Sequence, residues 1–466
     1  MFFTITSCSK KSKELDKSNK LSVDVVLSNW LEKTGIPSIS YVFIKDGKIE
    51  AIGAKGFANL QKEVPVDTAT IYSPGSNFKS VTSTAVMQLS EKGLIDLEAP
   101  INQYLKNPVA YFDNEHPIKV KDLMSHQSGI PSSFRSRNLW SRHVNDLSFE
   151  DIAGIVRPNA NPETIYQYAN DGYAILGAII EMVSGMKYED YVFENILKPL
   201  GITTSGFSEP TPDMLENIAL PYHMRYNMPF ANNFQRSVQY PTGDVYLKPS
   251  DMAKFLCMHL NNGIYNGNRV LEEKSVVQMH MPAIKVTDDF SYGYGFGIET
   301  IKDKKYSWHQ GSLPGYLAVF RMDFETKSAV YLATNVTASP LQEKQLGLLI
   351  NHLFDYVQGN ELSHIMDIPV EERKPAEQPL SLNLDKYVGK YNIEGAPVHL
   401  TIDRVGNQLF LINPSQQRFS LAYLDSDRFF ITTENEDIDF ILVEGQVNKL
   451  IFYSGDSKII AIKQVE

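Results

Sequence analysis

From residue 20 onward, apolar and polar positions recur with two different periods, and the switches between them mark out elements. Val23 to Thr34 repeats at helical spacing. Pro37 to Ile44 and Ile49 to Gly53 then alternate as two strands joined by the turn Lys45-Asp46-Gly47-Lys48. Phe78, Val81, Ala85 and Leu89 form one apolar stripe, which predicts a helix driven into a core. Further helices are predicted at Ala174 to Ser184, at Glu189 to Leu197, at Pro249 to Leu260 and at Leu341 to Val357, with Gly185, Pro199 and Gly263 acting as stops. Tyr292 to Glu299 alternates glycine with bulky residues, as a strand does where another backbone comes close. Tyr306 to Gly315, Tyr316 to Asp323 and Ala329 to Asn335 continue as strands, while residues 208–240 fit a loop region over a cleft.

Beyond residue 358 the pattern changes. Residues 359–383 carry Pro369, Pro375 and Pro379 among glutamates and read as a linker. Residues 384–466 are short alternating runs, such as Val398 to Ile402, Gln408 to Ile412, Arg428 to Thr432 and Lys449 to Tyr453, which predict a small all-β domain. A chain of 466 residues with 43% hydrophobic and 21% charged positions has room for two or three such units.

Charge and cysteine usage narrow the partners. A net charge of −11, with basic residues clustered only between Ser9 and Lys13, argues against a nucleic-acid partner. No run approaches the ~18 apolar residues of a membrane span. Cys8 and Cys257 lie far apart, so no disulfide framework is expected, and no Cys/His cluster has metal-ligand spacing. We expect neither metal nor organic cofactor, and a monomer. The N-terminal stretch Phe2 to Ser7 ends at Cys8, and Ile5-Thr6-Ser7-Cys8 resembles the lipobox of a bacterial lipoprotein. Residues 1–21 are thus expected to be a leader and tether, with lipidation at Cys8 and export to the periplasm or cell envelope. Any membrane contact would then run through that anchor. The alternative is a plain flexible terminus with a free Cys8 and a cytoplasmic protein.

Three short motifs carry chemistry. Ser76-Asn77-Phe78-Lys79 sets a hydroxyl and an amine one helical turn apart, and a lysine desolvated in a cleft can take a serine proton. An N-cap serine and a solvated lysine are the plain alternative, and Ser7 and Lys10 share the same spacing. Tyr168-Ala169-Asn170 presents a phenol and an amide side by side, the first a proton carrier and the second a holder of a substrate carbonyl, unless they are a packed tyrosine and a helix cap. His309-Gln310-Gly311-Ser312 offers a ring donor and a backbone N–H at Ser312 for an oxyanion, with Gly311 leaving room for substrate. A buried structural histidine is the alternative for His309. His126, in Met124-Ser125-His126-Gln127-Ser128-Gly129, is expected to close a buried helix-to-loop turn and not to act as a base.

Taken in order and separation, these motifs resemble those of the serine β-lactamase and penicillin-binding-protein superfamily, class C type. The intervening segments Lys92 to Leu97, Leu123 to Pro131, Leu176 to Glu181 and Leu197 to Ile202 are similar too, so the likeness covers roughly residues 22 to 358. It implies an α/β (α+β) β-lactamase/transpeptidase-like sandwich. In it an antiparallel sheet made from N- and C-terminal segments packs against helices, with an all-helical subdomain beside the site. The all-β tail resembles the lipocalin-like domain often appended to such hydrolases.

The resemblance implies a serine hydrolase in which Ser76 forms an acyl-enzyme with a small-molecule or peptide acyl substrate. Lys79 and Tyr168 share the base and acid roles, the order between them being open. Asn170 orients the carbonyl, and the N–H groups of Ser76 and Ser312 hold the oxyanion. Where the β-lactamases usually carry Lys-Thr-Gly, this chain has His309, Gln310 and Gly311. The cation and hydroxyl that receive a β-lactam carboxylate are absent from those positions, so a DD-peptidase, D-aminopeptidase or esterase is expected before a weak β-lactamase. The rival from another class is a non-catalytic binding protein on the same fold.

Overall fold

The computed structural model describes residues 21–131, 147–225, 228–234, 240–337, 340–362, 375–379, 381–394, 399–412, 418–431, 436–454 and 457–464. Cys8, the expected leader and much of the expected linker lie outside these residues.

The central element is helix α2, Lys79–Glu91, entered through a 3-10 turn at Gly75–Phe78. Every residue from Lys79 to Leu89 is buried, so this helix runs through the interior instead of lying on it. Its apolar stripe explains one face only. The other faces carry hydroxyls and an amide, and the interior tolerates them because each finds a hydrogen-bond partner, most of them a carbonyl. Ser80 Oγ donates to Asn77 O at 2.7 Å, Thr82 Oγ1 to Pro241 O at 2.6 Å, and Gln88 Nε2 to Val270 O at 2.7 Å.

One face of a nine-stranded antiparallel sheet packs against this helical layer. Its strands are β1 (Ser38–Lys45), β2 (Lys48–Asn59), β3 (Val64–Pro65), β4 (Ile284–Lys285), β5 (Phe290–Tyr292), β6 (Gly297–Ile301), β7 (Lys304–Leu313), β8 (Tyr316–Asp323) and β9 (Ser328–Thr334), in the order β4-β5-β6-β7-β8-β9-β1-β2-β3. The N-terminal hairpin therefore pairs with the last strand, as the resemblance implied. The middle strands are covered on both faces, which is why they read as nearly continuous apolar runs. Val42, Phe320 and Tyr331 face α2 and its neighbours, while Phe43, Val319 and Leu332 face α1 (Val23–Thr34) and a C-terminal helix at Pro340–Val357. Each such side chain contributes about 1.5–3 kcal/mol by leaving water.

Tyr292 to Glu299 is not one strand. It splits into β5 and β6 because the N–H groups between them bond elsewhere: Gly293 to Phe296 O, Tyr294 to Met279 O and Gly295 to Met124 O. The helix predicted from Ala174 begins four residues earlier, at Asn170, and ends as expected on Gly185 in the left-handed conformation, φ +70°. The Glu189 to Leu197 segment is a short α-helix, Tyr188–Val192, continued by a π turn.

Eight strands at the C-terminus close into a barrel: β10 (Gly389–Ile393), β11 (His399–Val405), β12 (Gln408–Ile412), β13 (Arg418–Asp425), β14 (Arg428–Ile431), β15 (Glu436–Val443), β16 (Gln446–Ser454) and β17 (Ser457–Lys463). Its interior is occupied by its own side chains, among them Tyr387, Tyr391, Phe429, Phe440 and Leu450. Inward-facing aromatics fill a barrel of this strand number.

Below α2 lies a buried relay. Thr84 Oγ1 spends its hydrogen on Ser80 O at 2.9 Å, so it accepts from His259 Nε2 at 3.4 Å. His259 Nδ1 then accepts from His280 Nε2 at 3.1 Å, and His280 Nδ1 accepts from Ser307 Oγ at 2.8 Å. The chain runs one way only while both imidazoles are neutral. Burial keeps them so, pushing His259 down to about 3 and His280 well below the ordinary value. Above pH ~6.5 both are neutral folded or unfolded; below it the unfolded chain binds protons that the folded chain refuses, so stability falls with pH. At pH 5 His259 alone is expected to cost about 2 kcal/mol relative to neutrality. Thermal melts from pH 7 to 5 should show a falling midpoint that His259→Gln partly flattens; a midpoint independent of pH in the wild type would contradict this account.

Candidate active site

Ser76 does not act as a helix cap. It sits inside the 3-10 turn that feeds α2, with no side-chain capping bond at either junction. A 3-10 turn nearly eclipses residues three apart, which brings Lys79 directly over Ser76. The Lys79 Nζ lies 2.8 Å from Ser76 Oγ and donates to Thr242 O at 3.1 Å. Lys79 is 0% exposed, and the ring centroids of Tyr168 and Tyr173 stand 4.9 and 5.5 Å from its nitrogen. Burial, with no carboxylate in ion-pair contact among the described residues, holds its pKa well below the ordinary lysine value.

Tyr168 joins the same cluster from the loop before the Asn170–Ser184 helix. Its hydroxyl bonds to Ser76, and desolvation raises its pKa far more than that bond lowers it. The phenol is therefore protonated at neutral pH. Asn170, the first residue of the helix, has a buried Oδ1 without a hydrogen-bond partner. A buried acceptor without a protein partner carries a cost that a donor reaching it would relieve.

Strand β7 forms the opposite wall. The two-residue turn Pro314-Gly315 closes on the Leu313–Tyr316 pair, and hydrogen-bonded pairs alternate along an antiparallel ladder. That register turns the Ser312 N–H away from β8, toward the Ser76 turn. The two backbones touch: a Cβ on Gly311 would lie 2.0 Å from Pro74 O and 2.7 Å from Ser76 N, and one on Gly75 would lie 2.7 Å from Ser312 N. Gly311 is thus required by the approach of the Ser76 turn, a different reason from the room for substrate expected of it. The backbone nitrogens of Ser76 and Ser312 line the same gap.

His309 stands on the inner face of β7, 5% exposed, and both of its ring nitrogens are engaged. Gln310 O can only accept, so Nδ1 carries the hydrogen and donates to it at 2.7 Å; Nε2 then accepts from Tyr292 Oη at 2.7 Å. Burial first, and the neighbouring Lys79 second, push His309 down to about 3. The expected ring donor is therefore spent inside the protein, and no cation stands at this position at neutral pH. Gln310 points the other way. Its side chain bonds to Glu343 on the outer face, beside Val319.

Ser76, Lys79, Tyr168, His309, Gly311 and Ser312 are therefore gathered at one place, and Asn170 follows two residues after Tyr168. Three participants carried no signal of their own. Thr242 contributes only a carbonyl, Tyr173 only a ring face, and Tyr292 lies in a segment whose pattern suggested a plain strand. His126 is buried in a turn, as expected, yet its ring centroid is 4.0 Å from that of Tyr168.

Comparison with known proteins bears on the fold and the family. The Beta-lactamase family profile matches residues 23–352. The PbpX protein of Bacillus subtilis (strain 168) is 28% identical over 341 residues, which span 70% of this chain and 77% of that one. The octameric penicillin-binding protein homologue from Pyrococcus abyssi superposes with a TM-score of 0.62 at 23% identity, over 93% of this chain and 98% of that one. The D-amino acid amidase from Ochrobactrum anthropi SV3, complexed with L-phenylalanine amide, gives 0.60 at 22% identity, over 72% and 96%.

The backbone contact makes a direct prediction. Gly311→Ala should destabilise the protein by about 1–3 kcal/mol, because the atoms it meets are backbone and cannot rotate aside. Ser312→Ala, whose side chain is exposed, should stay within about 0.5 kcal/mol. Urea unfolding of the two variants decides the point, and equal midpoints would show that the contact is loose.

Proposed function

The chain belongs to the beta-lactamase family, and on that premise we propose that it is a serine hydrolase working through an acyl-enzyme on Ser76, with uncharged esters or amides as substrates. The observation that carries this is the fully buried Lys79 amine 2.8 Å from the Ser76 hydroxyl. A lysine whose pKa burial holds well below the ordinary value gives up its proton more readily and can then accept one from Ser76, whereas a buried phenol resists becoming a phenolate. This electrostatic asymmetry favours Lys79 as the base and Tyr168 as the proton donor.

Ser76 Oγ attacks the carbonyl carbon while its proton passes to Lys79 Nζ. The oxyanion that forms lies between the N–H groups of Ser76 and Ser312; losing one such donor typically costs ~10²-fold or more in rate. As the bond to the leaving alcohol or amine breaks, Tyr168 supplies the leaving atom with a proton and recovers one from Lys79. Water then attacks the Ser76 ester by the reverse path, releasing an acid and the free hydroxyl. Asn170 Oδ1, which can only accept, would take an N–H of an amide substrate, a different partner from the carbonyl expected of it. The neutral His309 gives a free carboxylate no counter-charge, which is why uncharged acyl groups are preferred over β-lactams. The likeness to a D-amino acid amidase fits this preference.

Intact mass spectrometry after incubation with a small activated ester and, separately, with benzylpenicillin tests the proposal. Wild type should gain an acyl group from the ester, or turn it over, and hold no persistent penicillin adduct. Ser76→Ala should do neither, and Lys79→Met should fall by about 10²-fold or more. Undiminished acylation of Ser76→Ala would refute the assignment. A lasting penicillin adduct on Ser76 would instead move the protein toward the penicillin-binding peptidases.

A further inference from the structure

Resting on the assignment of Ser76 and Tyr168 above, we propose that His126 is a positioning residue that fixes the Tyr168 hydroxyl over Ser76 by clamping the backbone N–H groups of the residues just before and just after it. Helix α3, Val120–Met124, ends just before His126, whose backbone is left-handed at φ +58°. That conformation is uncommon for a residue with a Cβ and turns both its carbonyl and its ring toward the Tyr168 loop. Gln167 N–H donates to His126 O at 2.7 Å, and Ala169 N–H donates to His126 Nδ1 at 3.1 Å. One residue thus holds the amide immediately before Tyr168 and the amide immediately after it. The imidazole also lies against the phenol ring itself, centroids 4.0 Å apart at 36°.

The same contacts exclude a proton-transfer role for His126. Because Nδ1 accepts from Ala169, the hydrogen of the neutral ring is on Nε2, and that nitrogen is buried without a hydrogen-bond partner. Neither nitrogen has a lone pair open to substrate. Burial and the neighbouring Lys79 keep the ring neutral, which the clamp needs, since an imidazolium would aim an N–H at the Ala169 N–H.

A residue that acts by aiming a proton donor matters most when the leaving group needs a proton. We would measure kcat/KM for a series of aryl butyrates from 4-nitrophenyl, whose leaving phenolate needs little help, to unsubstituted phenyl, which needs more. His126→Phe keeps a ring against Tyr168 but offers no acceptor to Ala169. It should lose less than about 3-fold on the nitrophenyl ester and on the order of 10–100-fold on the phenyl ester. Tyr168→Phe should show the same steepened dependence, and the double variant should be no worse than Tyr168→Phe alone. His126→Asn restores a side-chain acceptor and tolerates positive φ, so its dependence should lie near that of wild type. Should His126→Phe fail to fold, His126→Asn and His126→Ala are compared instead, with hydrogen exchange reporting protection of the Gln167 and Ala169 amides. Equal losses across the series, or none, would overturn the positioning role while leaving the Ser76 assignment intact. Ester turnover that survives Ser76→Ala would remove that assignment and this proposal with it.

Discussion

Three stretches of backbone meet around Ser76 at a distance that no Cβ allows. Gly311 of β7 lies against Pro74 and Ser76, Gly75 lies against Ser312, and a Cβ on Gly243 would stand 2.0 Å from Gly75 O. The sheet, the entry turn of α2 and the loop carrying Thr242 are thereby locked together at one point. The remaining features of the site follow from that contact. The Ser312 and Ser76 nitrogens come to face one gap, the Thr242 carbonyl reaches the Lys79 amine, and the amine has no path to solvent. Preorganised donors of this kind need no rearrangement when charge develops between them.

The second consequence is electrostatic. A lysine placed at the start of a helix that runs through the interior carries its charge at a cost, and no carboxylate among the described residues pairs with it there. Tyr168 and Tyr173 present rings to it, and His126 and His309 remain neutral imidazoles. Perturbation of this kind concentrates where proton transfer is required. The site thus gathers groups whose proton affinities are shifted by burial, and among the described residues no ion pair fixes their charges.

Much of this was legible in the chain, and the division is physical. Helices bounded by local stops were readable: Pro249–Leu260 starts on its proline and Asn170–Ser184 ends on Gly185, because both signals act within a turn. The Ser76–Lys79 pairing was readable for the same reason. What could not be read is decided across long separations. Whether Tyr292 to Glu299 forms one strand or two depends on Met124 and Met279, and the engagement of His309 Nε2 depends on a phenol 17 residues away in β5. The buried turn at His126 was expected from its neighbours, but its clamp on Tyr168 joins residues 43 apart. The order of the sheet, with the N-terminal hairpin beside the last strand, came only from the resemblance to a known family.

The C-terminal barrel is constrained by its own closure. Every described strand has both neighbours inside the barrel, so no row of unpaired amides is offered to an extended segment of another chain, and recognition by strand addition is closed to it. Its aromatic filling leaves the outward side chains as its means of contact. They include arginines and aspartates engaged with one another or with rings, such as Arg418 over Phe410 and Arg428 beside Asp437 and Asp439, and exposed aliphatics such as Val405 and Val443. The ion pairs on this outer surface are partly exposed, so salt weakens them, and they tie the strands together only lightly.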